Sequence, residues 1–365
     1  MGKIVTDLES NLVTAHGVNN SNIRTVDHST CDEIKEWNWI KNRNQQRLAL
    51  RRNRMSITVH ILLSAMRAVK KTGLIKGPDT DVDENLRKAR EYNRKHPYKE
   101  PSDRKAAYQT IYVGGYPCLV IRQRHTPPSG RAILFLHGGG DRDTWKPEVA
   151  FARNYGKHAG MDVFYPLYPP FTEASPARTA DLILAVYRKI IKKYGADKLI
   201  VIGNSYGGLL AMQLLTWINR NNADEENERI EMPQLLIMNS PFGYPKTKEE
   251  WSLARELEKI DIMLPVGAFR YMFGLTKKTA PETPDYALYP ADMDFRNAPE
   301  TYVFYAEEAC AAVAGAIENS YKRDGSGGKM HMHREPGMMH CYASAPVFKE
   351  SRRDFNRQIT LLRQM

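Results

Sequence analysis

Leu199-Ile-Val-Ile-Gly-Asn-Ser-Tyr-Gly-Gly-Leu-Leu-Ala-Met-Gln-Leu-Leu-Thr-Trp217 is the stretch on which the fold turns. It opens with a short apolar run of strand type. It closes with a longer apolar run at helical spacing. Between them Gly203-Asn-Ser205-Tyr-Gly207 matches G-x-S-x-G. Such a serine sits on a strained strand-to-helix turn, which packs only if its neighbours are small. The helix that follows aims its first amides at the site, where they favour developing negative charge. A glycine-rich turn with an incidental serine is the bland alternative, and the flanking strand and helix argue against it.

Working outward, Ala-Ile-Leu-Phe-Leu over 132–136 runs directly into His137-Gly-Gly-Gly140. Short apolar runs at 163–165, 199–202, 235–238 and 301–305 alternate with helical periodicity over 176–194, 206–220 and 309–322. A strand at 329–333 and a last helix at 344–363 complete the series. This rhythm predicts an α/β fold with a mostly parallel central sheet flanked by helices. Ahead of it, 108–113 and 116–122 flank Gly114-Gly115 and read as an antiparallel hairpin. A helix-rich insertion is expected near 245–290, with Trp251, Leu264, Phe269, Tyr271, Met272 and Phe273 as its apolar residues.

The chemistry falls on few residues. Ser205 is the candidate nucleophile, and an HGGG loop supplies backbone N–H groups for an oxyanion hole, here Gly138 and Gly139 with the amide of Tyr206. A general base is expected late in the chain. His340, in Pro336-Gly-Met-Met-His340-Cys-Tyr, follows the strand at 329–333 in a turn. His331 and His333 lie within that strand and read as partly exposed strand residues, not as catalytic or metal-binding groups. The acid that orients the base should close the preceding strand, where Glu307 and Glu308 compete. Strand alternation lets one of them face the histidine, and Glu308 is preferred, with Glu307 the alternative acid. Asp292 and Asp294 precede that strand and are less well placed.

Together these residues resemble the hormone-sensitive-lipase-like branch of the α/β-hydrolase superfamily. His137 to Gly140, Gly203 to Gly208 and Pro336 to Tyr342 stand where that branch has HGGG, G-D-S-A-G-G and P-G-x-x-H-x-F/Y. Further echoes are Tyr165-Pro-Leu-Tyr-Pro-Pro170 and Tyr289-Pro-Ala-Asp292. The resemblance covers about 108–363. It implies a Ser205–His340–carboxylate triad, ester hydrolysis through an acyl-enzyme, a helical cap built partly from N-terminal helices, and neither metal nor organic cofactor. Three departures stand out. Asn204 and Tyr206 replace the usual Asp and Ala of the elbow, Asp141-Arg-Asp143 follows the glycines, and the acid is Glu. The G-x-S-Y-G-G elbow is also similar to the prolyl-oligopeptidase branch. A serine carboxylesterase for small or medium acyl groups is the leading expectation. A peptidase or amidase with the same triad and a ligand-binding pseudo-hydrolase are the alternatives.

The chain has 365 residues and a formal net charge of +11. Residues 1–130 carry 23 Lys and Arg against 13 Asp and Glu, while the remainder balances to +1. The basic excess therefore belongs to one end, which argues against a nucleic-acid binder. Residues 1–105 are expected to form a basic, largely helical extension and cap, and 106–365 the catalytic domain. A basic amphipathic helix over 56–71, with Ile61, Leu62, Ala65, Met66 and Val69 on its apolar face, is the candidate for a weak peripheral membrane contact. A small-molecule ester is the expected partner, with a homodimer as a further expectation. The four cysteines are widely spaced and fit reduced thiols in the cytoplasm.

Overall fold

The computed structural model describes residues 81–124, 129–140, 146–258 and 266–364, with residue 127 and parts of a helix between 59 and 68. Strands β1 (Ala107–Val113), β2 (Tyr116–Arg122), β3 (Ala132–Leu136), β4 (Asp162–Pro166), β5 (Leu199–Asn204), β6 (Leu235–Asn239), β7 (Glu300–Ala306) and β8 (Met330–Glu335) form one sheet. Its order is β1-β2-β4-β3-β5-β6-β7-β8. β1 and β2 pair antiparallel, as do β2 and β4, and every later pair is parallel. The expected hairpin is present: Gly114 and Gly115 both take positive φ, 58° and 83°, as a two-residue turn between twisted strands requires.

Parallel strands need crossovers, and the crossovers cover both faces of the sheet. Every residue of β3, β5 and β6 is accordingly buried. The crossover helices are α2 (Lys146–Ala159), α3 (Pro176–Tyr194), α4 (Tyr206–Asn222) and α7 (Glu307–Arg323), and α8 (Lys349–Gln364) follows the last strand. α3 begins on a Ser175 side chain that accepts the Arg178 N–H, carries Pro176 at its first position, and stops at Gly195 with φ 89°. α4 is apolar on nearly every side, and its residues from Tyr206 to Thr216 are all buried. It is the helix against which the central strands pack.

Between β6 and β7 the expected insertion appears as α5 (Lys248–Glu258), α6 (Val266–Thr279) and two 3-10 turns. Tyr271 is buried, while Trp251, Met272 and Phe273 lie half-buried against the main core. Leu264 and the Phe269 side chain fall outside the described residues. Helix α1 (Val82–Lys95), which precedes the sheet, packs on α6 through a Lys278–Asp83 ion pair.

Residues 1–58 lie outside the described residues, and with them the start of the basic helix expected over 56–71. Where that helix is described, its buried face differs from the expected one. Val59 and Leu63 are buried and Met66 packs against the core, whereas Ile61 is 63% exposed and Ala65 is exposed. The spacing is still helical, at i, i+4 and i+7. The phase is set by the surface the helix meets, which its own sequence does not encode. Two boundaries also move. The last helix starts at Lys349, because Tyr342–Ser344 form a 3-10 turn ahead of Pro346. α7 starts at Glu307, which places both candidate acids in its first turn. Among the described residues no helix is long and apolar enough to cross a membrane.

Two glycine positions test the packing. A Cβ on Gly207 would collide with the Leu136 carbonyl, whereas Gly315 in α7 is exposed with nothing within 4 Å of the added atom. Gly207→Ala should cost about 3 kcal/mol or prevent folding. Gly315→Ala should stabilise by about 0.5–1 kcal/mol. Urea denaturation of both variants measures the contrast.

Candidate active site

Ser205 stands between β5 and α4 with φ 51° and ψ −115°, a region that costs a residue with a Cβ about 1–3 kcal/mol. The surrounding backbone holds it there. The Ser205 N–H donates to the Asn239 carbonyl at 2.9 Å, and the Ser205 carbonyl accepts from Gly208 at 2.8 Å and Phe242 at 2.9 Å. Three such bonds, each worth about 1 kcal/mol net, match or exceed the strain. The glycines after the serine are dictated by crowding: the Gly208 Cα lies where a Cβ would come within 2.7 Å of the Pro241 Cα.

His340 reaches the same point from the loop after β8. Its Nε2 lies 2.8 Å from the Ser205 Oγ, so the sequence-predicted nucleophile and base are brought together across 135 residues. Burial pushes His340 down to about 4, which keeps the imidazole neutral at physiological pH. The loop that carries it is pinned just after the histidine. The Cys341 N–H donates to the Ser240 Oγ at 3.0 Å, and the Tyr342 hydroxyl donates to Asp354 at 2.7 Å.

Glu307 and Glu308 open α7 at the carboxyl end of β7, the neighbour of β8. Their side chains lie outside the described residues. The acids ranked behind them are engaged elsewhere: Asp292 pairs with Lys246 at 2.5 Å, and Asp294 with Arg296 at 2.5 Å. His331 donates to Glu300 at 2.8 Å and His333 accepts from Arg357 at 3.2 Å, so both serve the β8 edge and neither faces Ser205.

The HGGG loop crosses directly over the elbow. A Cβ on Gly138 would lie 3.2 Å from the Ser205 Cβ, and one on Gly140 would lie 2.6 Å from the Tyr206 ring. Gly139 takes φ +69°. His137 is buried beneath them, stacked on Tyr168 at 4.0 Å, with its Nδ1–H donated to the Gly138 carbonyl at 2.8 Å. Burial holds this imidazole at about 4, so it is a neutral packing element. Tyr206 occupies the first position of α4, where a backbone N–H has no acceptor within the helix. Its ring meets Phe171 at 5.8 Å, and Phe171 meets Tyr271 of the insertion at 6.4 Å.

One participant escapes sequence reasoning. Glu148, in the first turn of α2, is 2% exposed and accepts from the Asn204 side chain at 3.1 Å. Burial pushes its carboxyl up to about 7, while bonds from Asn204 and from the Gly138 N–H pull it back. Glu148 also lies against Gly138, one of the three expected oxyanion donors: a Cβ added there would be 3.4 Å from its Oε1. A glutamate at the start of a helix reads in a sequence as a charge complementing the helix dipole, and nothing local marks this one as buried.

A model of the alpha/beta hydrolase fold matches residues 133–344. Among solved structures, a putative esterase from Staphylococcus aureus superposes with a TM-score of 0.65 at 20% identity, covering 80% of this chain and 93% of its own. An esterase from the bacterial hormone-sensitive lipase family gives a TM-score of 0.66 at 18% identity, over 85% and 98%. A kynurenine formamidase of Meyerozyma guilliermondii is 27% identical over 132 residues, 35% of this chain. The match spans half the length of that curated relative. The family match covers more than half of the chain and contains the elbow, the glycine loop and His340, so the chain belongs to the alpha/beta hydrolase fold family, with the architecture of the bacterial hormone-sensitive lipase esterases.

Proposed function

We propose that the protein is a serine hydrolase that cleaves carboxylic esters of small or medium acyl groups through an acyl-enzyme on Ser205. The observation that carries this reading is the 2.8 Å approach of the His340 Nε2 to a serine hydroxyl held at positive φ. Neutral His340 takes the Ser205 proton as Oγ attacks the ester carbonyl, then returns it to the leaving alcohol. The amides of Gly138, Gly139 and Tyr206 receive the oxyanion. Glu308, or Glu307 as the alternative, orients the imidazole and stabilises its charged form. Water then releases the acyl group by the same route.

Amide cleavage is a second reading, favoured by the stretch shared with the kynurenine formamidase. A formamide has the smallest acyl group of its class, and the same serine, base and oxyanion donors serve it. Turnover of N-formylkynurenine faster than of p-nitrophenyl esters would select this reading. Preference for prolyl amides would select a peptidase. Ligand binding by wild type without acylation would select the pseudo-hydrolase.

A p-nitrophenyl ester series from acetate to decanoate should be turned over by wild type, with highest kcat/KM at the shorter chains. Ser205→Ala should lose about 10⁴-fold or more, and activity surviving in that variant would overturn the nucleophile. Of Glu307→Gln and Glu308→Gln, the variant at the true acid should lose about 10⁴-fold in kcat and the other little.

His340 also leaves a mark on stability. Its imidazole is held at about 4 in the native state against an ordinary value of 6.5, so the unfolded chain binds the extra proton between those values. Stability should therefore be lost as pH falls from 6.5 through 4. His137, shifted the same way, adds to the slope. Melting temperatures between pH 7.5 and 4.5 should fall less steeply for His340→Ala than for wild type. Equal slopes would contradict the assignment.

A further inference from the structure

Behind the nucleophile, away from the face a substrate would touch, lies a buried polar chain that the hydrolytic steps leave unused. Asn204 and Asn239 are register partners at the ends of β5 and β6. The Asn204 Oδ1 accepts from the Asn239 side chain at 3.0 Å and from the Ser344 hydroxyl at 3.0 Å. The Asn239 Oδ1 accepts from Gln358 at 2.9 Å, and the Tyr155 hydroxyl donates to Gln358 at 2.6 Å. Asn204, Asn239, Ser344, Gln358 and Tyr155 are all fully buried. The chain ends at Glu148, which takes the Asn204 Nδ2–H on one side and meets Gly138 on the other, where an added Cβ would lie 3.4 Å from its Oε1.

We propose that Glu148 is a positioning residue of this hydrolase, whose carboxylate, by accepting from the Asn204 side chain and packing against Gly138, fixes the oxyanion loop against the nucleophile elbow. The inference rests on the hydrolase reading above. Donor and acceptor counting supports it. Both acceptor directions of the Asn204 oxygen are used by Asn239 and Ser344, so its amide must donate to Glu148. An Asp in place of Asn204 would set two buried carboxylates against each other. That accounts for the Asn where the elbow motif usually carries Asp. A Gln in place of Glu148 would either set its NH₂ group against the Asn204 N–H or, with its oxygen turned there, put the NH₂ group against Gly138. A buried donor without an acceptor costs more than the bond itself.

The carboxyl also has a titration with a direction. Burial raises it to about 7 against the pull of Asn204 and Gly138. Among the described residues, the titratable groups facing it are Tyr155 on its own helix, Tyr165 on β4 and Tyr168 just after it, all buried and all held in the neutral phenol form. His137, packed under the same loop, is neutral as well. Protonation of Glu148 converts one acceptor oxygen into a donor and releases one of the two contacts. Turnover should therefore fall as pH drops through about 7, well above the point at which His340 itself is protonated.

The test compares wild type, Glu148→Gln, Asn204→Asp and the double variant on p-nitrophenyl butyrate. Fluorophosphonate labelling of Ser205 and melting temperature are followed alongside. Each single variant should lose about 10- to 100-fold in kcat with little change in KM. The double variant should recover at least about ten-fold over either single, because its new side-chain amide would donate to its new carboxylate on the elbow and turn its oxygen to Gly138. The acid limb near 7 should also move to lower pH in the double variant, whose carboxylate has three donors around it. A folded Glu148→Gln with unchanged kcat and pH profile would overturn the inference while the hydrolase reading stood. So would a double variant no better than its parents. Should Glu148→Gln fail to fold, the comparison of Asn204→Asp with the double variant carries the same decision. Wild type that neither labels at Ser205 nor turns over ester would overturn the hydrolase reading, and this inference with it.

Discussion

The backbone of Ser205 is the constraint on which the rest of the structure depends. A residue with a Cβ at φ 51° and ψ −115° does not stay there unaided. It is held by the Asn239 carbonyl on one side and by the amides of Gly208 and Phe242 on the other. Those groups come from the end of β6, the first turn of α4 and the segment after Pro241. The serine conformation is thus a product of the parallel pairing of β5 with β6 and of an apolar helix packed close enough to bond the elbow. Move either element by an ångström and the hydroxyl no longer points at His340.

Three segments meet at this point: the elbow, the glycine loop and the turn that carries His340. What unites them is a polar chain sealed under the site: Glu148 from the α2 side, Asn204 and Asn239 from adjacent strand ends, Ser344 and Gln358 from the C-terminal segment. Buried amides and carboxyls are costly unless every donor and acceptor is matched, and when matched they specify one arrangement more sharply than apolar contacts do. The aromatic contacts outside the site, Tyr206 to Phe171 to Tyr271, give the opposite kind of connection. They are tolerant in geometry and reach the helical insertion.

The sequence is most legible where chemistry is local. G-x-S-x-G between a strand and a helix, HGGG after a buried strand, and a histidine in a Pro-Gly turn each announce themselves within a few residues. The parallel sheet is equally readable, because strands buried on both faces are apolar throughout. What stays hidden depends on partners far along the chain. Glu148 looks like any acidic residue in a first helical turn, and only the approach of Asn204 and Gly138 makes it internal. The buried face of the helix around Val59 and Leu63 differs from the expected one because Ile61 and Ala65 fit a helical stripe equally well. The late start of α8 follows from the 3-10 turn over Tyr342–Ser344, where the chain is bent to present His340.

The distance along the chain between the two reactive groups has a consequence for biosynthesis. Ser205 and His340 are 135 residues apart, and Asn204 waits on Ser344, 140 residues further on. Asn239 waits on Gln358 across 119 residues. Contacts of such separation form late, after the local helices and hairpin are in place. As a chain emerges from the ribosome, the elbow, the glycine loop and most of the sheet are exposed before the segment that supplies the base and closes the polar chain exists. The nascent protein therefore carries Ser205 without its contact to His340 until the stretch from His340 to Gln358 arrives. The contact between Ser205 and His340 is among the last that synthesis makes possible.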